Sequence, residues 1–170
     1  MNPNILHLSI TLGQLLLARG ASITVAESCT GGGLGAAITA VPGSSQWFDT
    51  GFITYSNAAK QRWLHIGADV LDKYGAVSAE VVDAMAAGVL AQTGAGYAVS
   101  ISGIAGPDGG SREKPVGSVW IGWAAANSGH CSHQLYRFDG DRHAVRNQAV
   151  ARALEGMIAL LQGELNMGPQ

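Results

Sequence analysis

The sequence predicts an α/β fold, in which a single three-layer domain has a mixed, mostly parallel sheet covered by helices on both faces. Segments with the periodicity of amphipathic helices alternate with short β-branched segments, which is the pattern of a sheet packed between helices. The 170 residues correspond to one domain over 1–170, without a linker or an internal repeat. A chain of this length buries enough surface on folding to need neither a disulfide nor a structural metal.

Two helices and two strands are predicted in the first part of the chain. Leucines at helical spacing, followed by Gly20, predict a helix over 5–19. The β-branched stretch 21–26 predicts a short strand that leads directly into a glycine-rich loop. Small residues over 34–41 predict a second helix, and the stretch 50–55 predicts the next strand.

The rest of the chain predicts four helices and three strands. Ser78 and Asp141 are typical N-cap residues, and each begins or directly precedes a predicted helix. A turn at 127–129 joins the last two strands, which are predicted to be antiparallel, and 103–114 is predicted to be a long polar loop. The helices cover 57–65, 69–74, 78–92 and 142–161, and the strands cover 97–102, 116–126 and 131–138.

Composition and charge argue against several classes of protein. Apolar residues make up 47% and charged residues 13%, against about 25% charged in an average soluble protein, so the chain is not expected to be disordered. The net charge of −2 disfavours a nucleic-acid binder. The first residues lack the basic region of a secretory signal, and no apolar stretch is long enough for a membrane span. We therefore expect a cytoplasmic protein in which Cys29 and Cys131 are free thiols.

Glycine is enriched and clustered. Of the 24 glycines, eight fall in two short stretches, 31–35 and 103–110. The first stretch lies between a predicted strand and a predicted helix, where helix N-terminal amides form a natural anion or oxyanion site. The second belongs to a loop longer than a minimal turn, which favours a functional role. Neither matches the glycine pattern of a P-loop or of a dinucleotide-binding fold.

Four side chains near predicted strand ends are candidates for nucleophilic chemistry. Ser28, after the strand 21–26, is either a nucleophile or an N-cap. Cys29 is the rival nucleophile, although buried cysteines are more often structural. Lys60 is either a partly buried amine that takes a serine proton or a solvated surface lysine. Tyr55 is either a hydrogen-bond donor of the site or an amphipathic surface residue.

Three further polar residues are candidates for binding a substrate. Ser102 ends a buried strand directly before the polar loop, and a polar residue there needs a partner that a substrate supplies. Arg142 and Arg146 are four residues apart on the last predicted helix, so they share one face. Two guanidinium groups there either clamp a phosphate or carboxylate or form a solvated face.

Metal-dependent chemistry is not predicted. Alternation along a strand puts Cys131 and His133 on one face and His130 on the other, so these three side chains do not converge. Hydrolysis of a nucleotide pyrophosphate needs a cluster of carboxylates for Mg²⁺, and Asp108 and Glu113 in a predicted loop are poor candidates for one.

Six motifs, in order along the chain, resemble those of the CinA C-terminal domain family, whose name comes from a competence-damage-inducible protein. The motifs are A-E-S-C-T-G-G at 26–32, G-F-I-T-Y-S-N-A-A-K at 51–60, G-A-V-S at 75–78, G-I-A-G-P at 103–107, K-P-V-G at 114–117 and F-D-G-D-R at 138–142. The resemblance spans about 6–161, which we take as the core of the domain.

The resemblance implies an enzyme that hydrolyses the carboxamide of nicotinamide mononucleotide to nicotinate mononucleotide and ammonia, in pyridine-nucleotide salvage, without a metal or other cofactor. By this resemblance Ser28 is the nucleophile, Lys60 is its base and Tyr55 is an active-site hydroxyl. Ser102 stands where the family usually has threonine, a change that keeps the hydroxyl. Amides of the glycine-rich loops and the Ser102 hydroxyl would stabilise the oxyanion.

The resemblance also implies how the nucleotide is bound and how the chain assembles. Arg142 matches the position expected to hold the phosphate, and Arg146 is a weaker match. The full set of predicted substrate-binding residues is Thr30, Gly31, Gly32, Gly103, Gly106, Arg142 and Arg146. A homodimer is expected, with a small nucleotide as the only other partner. Two alternatives remain open, a pocket that binds a nucleotide without hydrolysing it and an amidase for a different amide.

Overall fold

A five-stranded sheet forms the centre of the computed structural model, which describes residues 2–163. The strands are β1 (Ile23–Glu27), β2 (Phe48–Ile53), β3 (Tyr97–Gly103), β4 (Ser118–Ala125) and β5 (Cys131–Arg137). Their order across the sheet is β2-β1-β3-β4-β5. β1 pairs in parallel with β2 and β3, while β4 is antiparallel to both β3 and β5. Four of the five strands therefore run in one direction, and the predicted mixed sheet is confirmed.

Helices cover both faces of the sheet and complete the predicted three layers. They are α1 (Pro3–Arg19), α2 (Gly33–Thr39), α3 (Asn57–Leu64), α4 (Ala68–Tyr74), α5 (Ala79–Thr93) and α6 (Arg142–Leu161). α1, α2 and α6 pack on one face, and α3, α4 and α5 pack on the other. Within residues 2–163, no helix combines the length and apolar character needed to cross a membrane.

The two faces of the sheet bury separate apolar clusters. In β3, Val99 and Ile101 belong to the larger cluster, which also contains Trp47 and Trp123. Ala98 of the same strand belongs to the smaller cluster, under α5. Because successive side chains of a strand point to opposite faces, a central strand covered on both sides is buried along nearly its whole length.

The observed strand and helix ends differ from the predicted ends by a few residues. The strand predicted over 116–126 begins at Ser118, because Gly117 has a φ of 90° and its N–H donates to the carbonyl of Ile104 at 2.8 Å. A Cβ at Gly117 would lie 2.0 Å from the carbonyl oxygen of Phe138, so this turn requires glycine. A short 3-10 turn, Ser44–Gln46, was not predicted.

The parallel strands bring the candidate residues to one edge of the sheet. Ser28 is the first residue after β1, Tyr55 is the second residue after β2, and the loop after β3 begins at Ile104. The carboxyl ends of parallel strands lie together, and ligand sites of α/β sheets form there. The fold thus places the nucleophile candidate and the glycine-rich loop side by side.

Candidate active site

A cavity of about 270 Å³ opens at the carboxyl ends of β1, β2 and β3. Six of the predicted site residues line it, namely Ser28, Tyr55, Lys60, Gly103, Gly106 and Arg142. Six further residues complete the lining, namely Cys29, Ala76, Ile104, Ala105, Asp108 and Gly109. The other predicted residues, Thr30, Gly31, Gly32, Ser102 and Arg146, lie outside this lining.

Ser28 and Lys60 form a close pair in the cavity wall. The N–H of Ser28 donates to the carbonyl of Ile101 at 2.9 Å, which fixes the backbone just beyond β1. Lys60 lies on α3, whose N-cap Ser56 accepts a hydrogen bond from the N–H of Ala59. Nζ of Lys60 is 3.0 Å from Oγ of Ser28, which is hydrogen-bonding distance for proton transfer.

Lys60 is buried, which distinguishes it from a solvated surface lysine. Only 1% of the residue is exposed, and Nζ donates to the carbonyl of Thr54 at 2.7 Å. It forms no ion pair with a carboxylate within residues 2–163. Because burial disfavours the charged ammonium, it lowers the pKa of Lys60 to about 8. A substantial fraction of Lys60 is therefore a neutral amine in mildly alkaline solution.

Cys29 does not have the properties of a nucleophile. The residue is buried, and desolvation raises the pKa of its thiol to about 12. A reactive cysteine needs thiolate character at neutral pH, which comes from a lowered pKa. Cys29 therefore stays a protonated thiol beside Ser28, and the oxygen nucleophile is favoured.

Arg142 joins two sides of the cavity mouth. It is the first residue of α6, whose N-cap Asp141 accepts from the N–H of Ala144 at 2.8 Å. Its Nη2 donates to the hydroxyl of Tyr55 at 2.7 Å, and its Nη1 donates to the carbonyl of Gly106 at 2.8 Å. The guanidinium keeps three of its five N–H groups for a ligand, since these are its only hydrogen bonds to residues 2–163.

Glu27 occupies the helix N-terminus that was predicted to bind an anion. Its carboxylate is 1% exposed and accepts from the N–H groups of Gly32 at 3.1 Å, Leu34 at 3.0 Å and Gly35 at 2.8 Å. The positive end of α2 is thus neutralised by the protein's own side chain. The predicted oxyanion site at this helix is corrected accordingly. The sequence signal was an acidic residue at the end of a buried strand, directly before the glycine-rich helix start.

Gly31 and Gly32 shape the loop after Ser28 without lining the cavity. The N–H of Gly31 donates to the carbonyl of Ser28 at 3.0 Å, and that of Gly32 is held by Glu27. Both have positive φ, 57° and 94°, and a Cβ at Gly32 would lie 2.9 Å from Cδ1 of Ile53. Their amides are therefore committed within the protein, in contrast to the predicted contact with substrate.

Three other amides belong to residues that line the cavity and are not committed in this way. The N–H groups of Cys29, Ala105 and Gly106 donate to no carbonyl or carboxylate oxygen of residues 2–163. Ser102, by contrast, donates its hydroxyl to the carbonyl of Ala76 at 2.6 Å and is 1% exposed. It therefore supports the wall segment at Ala76 instead of presenting its hydroxyl to the cavity.

Arg146 lies on the far side of the loop that carries Ser28. Its Nε and Nη2 donate to the carbonyl of Thr30 at 3.2 Å and 2.7 Å. Both residues line a separate cavity of about 340 Å³ between α1, α2 and α6. Arg142 and Arg146 therefore do not form the single clamp that their spacing allowed.

A larger groove of about 720 Å³ lies at the other end of the sheet, beside α5 and β5. It contains Asp83, His130 and Cys131, and burial raises the pKa of the Cys131 thiol. Asp83 pairs with His133 at 3.0 Å. Within residues 2–163, no group of three or more His, Cys, Asp or Glu is arranged to hold a metal ion. The smaller cavity is the candidate active site, because it contains a serine hydroxyl beside a buried amine.

Comparison with known proteins gives consistent matches. The family model of the CinA C-terminal domain matches residues 6–161. The nicotinamide-nucleotide amidohydrolase PncC of Pseudomonas putida is 51% identical over 160 residues, covering 94% of this chain and 98% of that protein. The protein of the same name from Escherichia coli K12 is 54% identical over 154 residues, covering 91% and 93%. The crystal structure of a CinA superfamily protein from Klebsiella pneumoniae has a TM-score of 0.90 at 40% identity, covering 94% of this chain and 98% of that one.

Proposed function

The chain belongs to the CinA C-terminal domain family, and we propose that it hydrolyses the carboxamide of nicotinamide mononucleotide to nicotinate mononucleotide and ammonia. The enzyme class follows from the amidohydrolases that share 51% and 54% of its residues over more than nine-tenths of the chain. The substrate assignment, a role in pyridine-nucleotide salvage and the mechanism are our proposal. The observation that carries the mechanism is the 3.0 Å contact between Ser28 Oγ and the buried Nζ of Lys60.

In the first half-reaction, neutral Lys60 accepts the proton of Ser28 as Oγ attacks the carboxamide carbon. The C–N bond of the tetrahedral intermediate then breaks, and protonated Lys60 gives its proton to the departing nitrogen, which leaves as ammonia. In the second half-reaction, Lys60 takes a proton from water, and the hydroxide attacks the acyl ester. Ser28 regains its proton from Lys60, and nicotinate mononucleotide is released.

The oxyanion is best stabilised by backbone amides that the fold leaves unused. The N–H of Cys29 directly follows the nucleophile, and those of Ala105 and Gly106 belong to the neighbouring loop after β3, which also lines the cavity. Preorganised amides of this kind are worth about 3 kcal/mol each to the transition state. We assign Ser102 a positioning role, because its hydroxyl is bound to Ala76.

The phosphate of the nucleotide is best held at Arg142. This guanidinium lies at the cavity mouth with unused N–H groups, and its bonds to Tyr55 and Gly106 fix its direction. Charge-assisted bonds to phosphate would orient the ring so that the carboxamide reaches Ser28. Tyr55 thereby supports the arginine and forms part of the wall.

Ammonia release from nicotinamide mononucleotide, measured with purified protein in EDTA, tests this function. Ser28→Ala should abolish release, while Ser128→Ala, in a turn outside the cavity, should leave it unchanged. Release by Ser28→Ala at the wild-type rate would contradict the nucleophile assignment. If the wild-type protein binds the nucleotide without releasing ammonia, the non-catalytic binding module is the correct function.

A further inference from the structure

We propose that the chain has a second anion site, for a small phosphate-type oxyanion, in the cavity around Arg146. This cavity of about 340 Å³ shares no lining residue with the cavity at Ser28. Its polar lining residues are Asn2, Thr30, His143, Arg146 and Asn147, and the remaining ones are apolar or glycine. The proposal does not depend on the amidase activity, because binding can be measured without turnover.

Arg146 carries a positive charge that is not paired with a carboxylate of the described residues. It is partly buried, forms no ion pair within residues 2–163, and no acidic residue lines its cavity. Two of its five N–H groups bind the carbonyl of Thr30, which leaves three for a ligand. A partly buried cation with unused donors is stabilised by an anion, since burial of an unpaired charge is unfavourable.

Neighbouring polar groups add donors to the same cavity. His143 and Asn147 lie one turn apart on α6 and contact each other, with Nε2 and Nδ2 2.8 Å apart. Thr30 is fully buried, and its Oγ1 has no hydrogen-bond partner within residues 2–163. A buried hydroxyl without a partner is rare in folded proteins, so an unsatisfied polar group lies in the wall of this cavity, in the residue that Arg146 binds.

The donor set fits a phosphate-type oxyanion better than a cation or an apolar ligand. A guanidinium matches the oxygen geometry of phosphate and binds two oxygens at once. Arg146 also holds the carbonyl of Thr30, two residues after Ser28. An anion at Arg146 would therefore share one side chain with the loop that carries the nucleophile.

Titration with inorganic phosphate, followed by ¹⁵N NMR of the backbone amides, tests the site. We expect saturable shifts at Thr30, Gly33 and Asn147 that potassium chloride of equal ionic strength does not produce. Asn147→Asp places a negative charge in the cavity and should weaken phosphate binding at least about tenfold. Gln148→Glu makes the same charge change at the next position, outside the cavity lining, and should leave the affinity unchanged.

Three results would overturn the proposal. Shifts confined to residues 104–109 that disappear in Arg142→Met would mean that phosphate binds in the Ser28 cavity only. An equal response to chloride, or an equal loss in Gln148→Glu, would mean charge screening.

If Asn147→Asp does not fold, His143→Ala replaces it, because His143 is exposed and its loss should weaken binding without unfolding the chain. A parallel titration with ribose 5-phosphate tests whether the site also binds a phosphomonoester. If the site binds only the free ion, ribose 5-phosphate produces no shifts.

Discussion

In the proposed mechanism, the protonation of Lys60 sets the pH range in which Ser28 is activated. Burial lowers the pKa of Lys60 to about 8, and only the amine form, present above that pKa, accepts a proton. We therefore expect kcat/KM for nicotinamide mononucleotide to rise with pH and to level off above about pH 8. Steady-state ammonia release is measured from pH 6 to 10, a span of about four pH units centred on this pKa. This range shows both the rising limb of the pH profile and its plateau.

The matched control for this limb is the exposed Lys73 of α4. Lys73→Ala should keep both the limb and the plateau. Lys60→Ala should lower kcat by about 10²–10⁴-fold, the usual contribution of a general base, and should lose the limb. A wild-type plateau already reached at pH 6 would contradict Lys60 as the base.

Glu27 determines how rigidly the loop after Ser28 is held. In the native protein, the two carboxylate oxygens of Glu27 accept three backbone N–H groups. Glu27→Gln keeps the shape of the side chain but removes its charge and one of these two acceptor oxygens. We expect the free energy of unfolding to fall by about 2 kcal/mol, since bonds to a charged group are worth about that. Denaturant unfolding measures this change, and kcat should fall as well because Ser28 is displaced.

Glu80→Gln is the control for this substitution. Glu80 lies in the first turn of α5 and is exposed, so its replacement should change the free energy of unfolding by no more than about 0.5 kcal/mol. Similar losses in Glu27→Gln and Glu80→Gln would show that the three buried hydrogen bonds contribute little.

Arg142 is expected to act on binding more than on the chemical step. Arg142→Ala removes charge-assisted bonds to phosphate and should raise KM by about 10–100-fold. Arg152→Ala removes an arginine of the same helix that is paired with Glu155, and its kinetics should match the wild type. An unchanged KM in Arg142→Ala would exclude this residue from the phosphate site.

The helices and strands were predictable where their signals are local. Ser78 and Asp141 each accept a hydrogen bond from an N–H in the first turn of the helix they cap, which is a signal visible within four residues. The start of β4 was not predictable, because the positive φ of Gly117 depends on its contacts with Ile104 and Phe138. Signals that act across the fold are not encoded in a single window of sequence.

The same limit applies to the loop between β1 and α2. Its glycines correctly indicated a special backbone, but sequence alone could not show that Glu27 already binds the amides. The pairing of Ser28 with Lys60 was implied by family resemblance and not by spacing. Spacing could not show which arginine faces the cavity, because Arg142 and Arg146 share a helix face and still reach different cavities. Only the family resemblance favoured Arg142.

Gly32 tests how far this loop tolerates a side chain. Gly32→Ala places a side chain on a backbone with a φ of 94°, so we expect it to destabilise the protein by about 2 kcal/mol. Gly20→Ala has a φ of 57° but open space around its Cβ, and should cost only about 1 kcal/mol. Thermal unfolding compares the two. Equal losses would show that the backbone at Gly32 relaxes as freely as that at Gly20.

The three-layer architecture and the family were both predicted from sequence, because alternation and ordered motifs extend along most of the chain. Both are confirmed by the sheet with helices on each face and by the family match over 6–161. Assembly is a property that one chain does not reveal, and the homodimer stays a prediction.

Exposed apolar side chains near the cavity are consistent with that homodimer. Ile53, Tyr55 and Trp63 are each more than half exposed, and they follow or belong to β2 and α3. Light scattering should give a mass twice the 17.5 kDa of the chain. Trp63→Glu should shift it to the monomer mass, whereas Gln61→Glu, an exposed neighbour on α3, should not. A monomeric wild-type protein would contradict the prediction.

The carboxylate of Glu27 also bears on how the product leaves. The proposed reaction converts a neutral amide into an acid, so its product carries a new negative charge close to Ser28. Free amides at the start of α2 would retain such a product, but Glu27 already occupies them. The newly formed acid therefore finds no free amides at the start of α2, and we expect nicotinate mononucleotide to be a weak inhibitor.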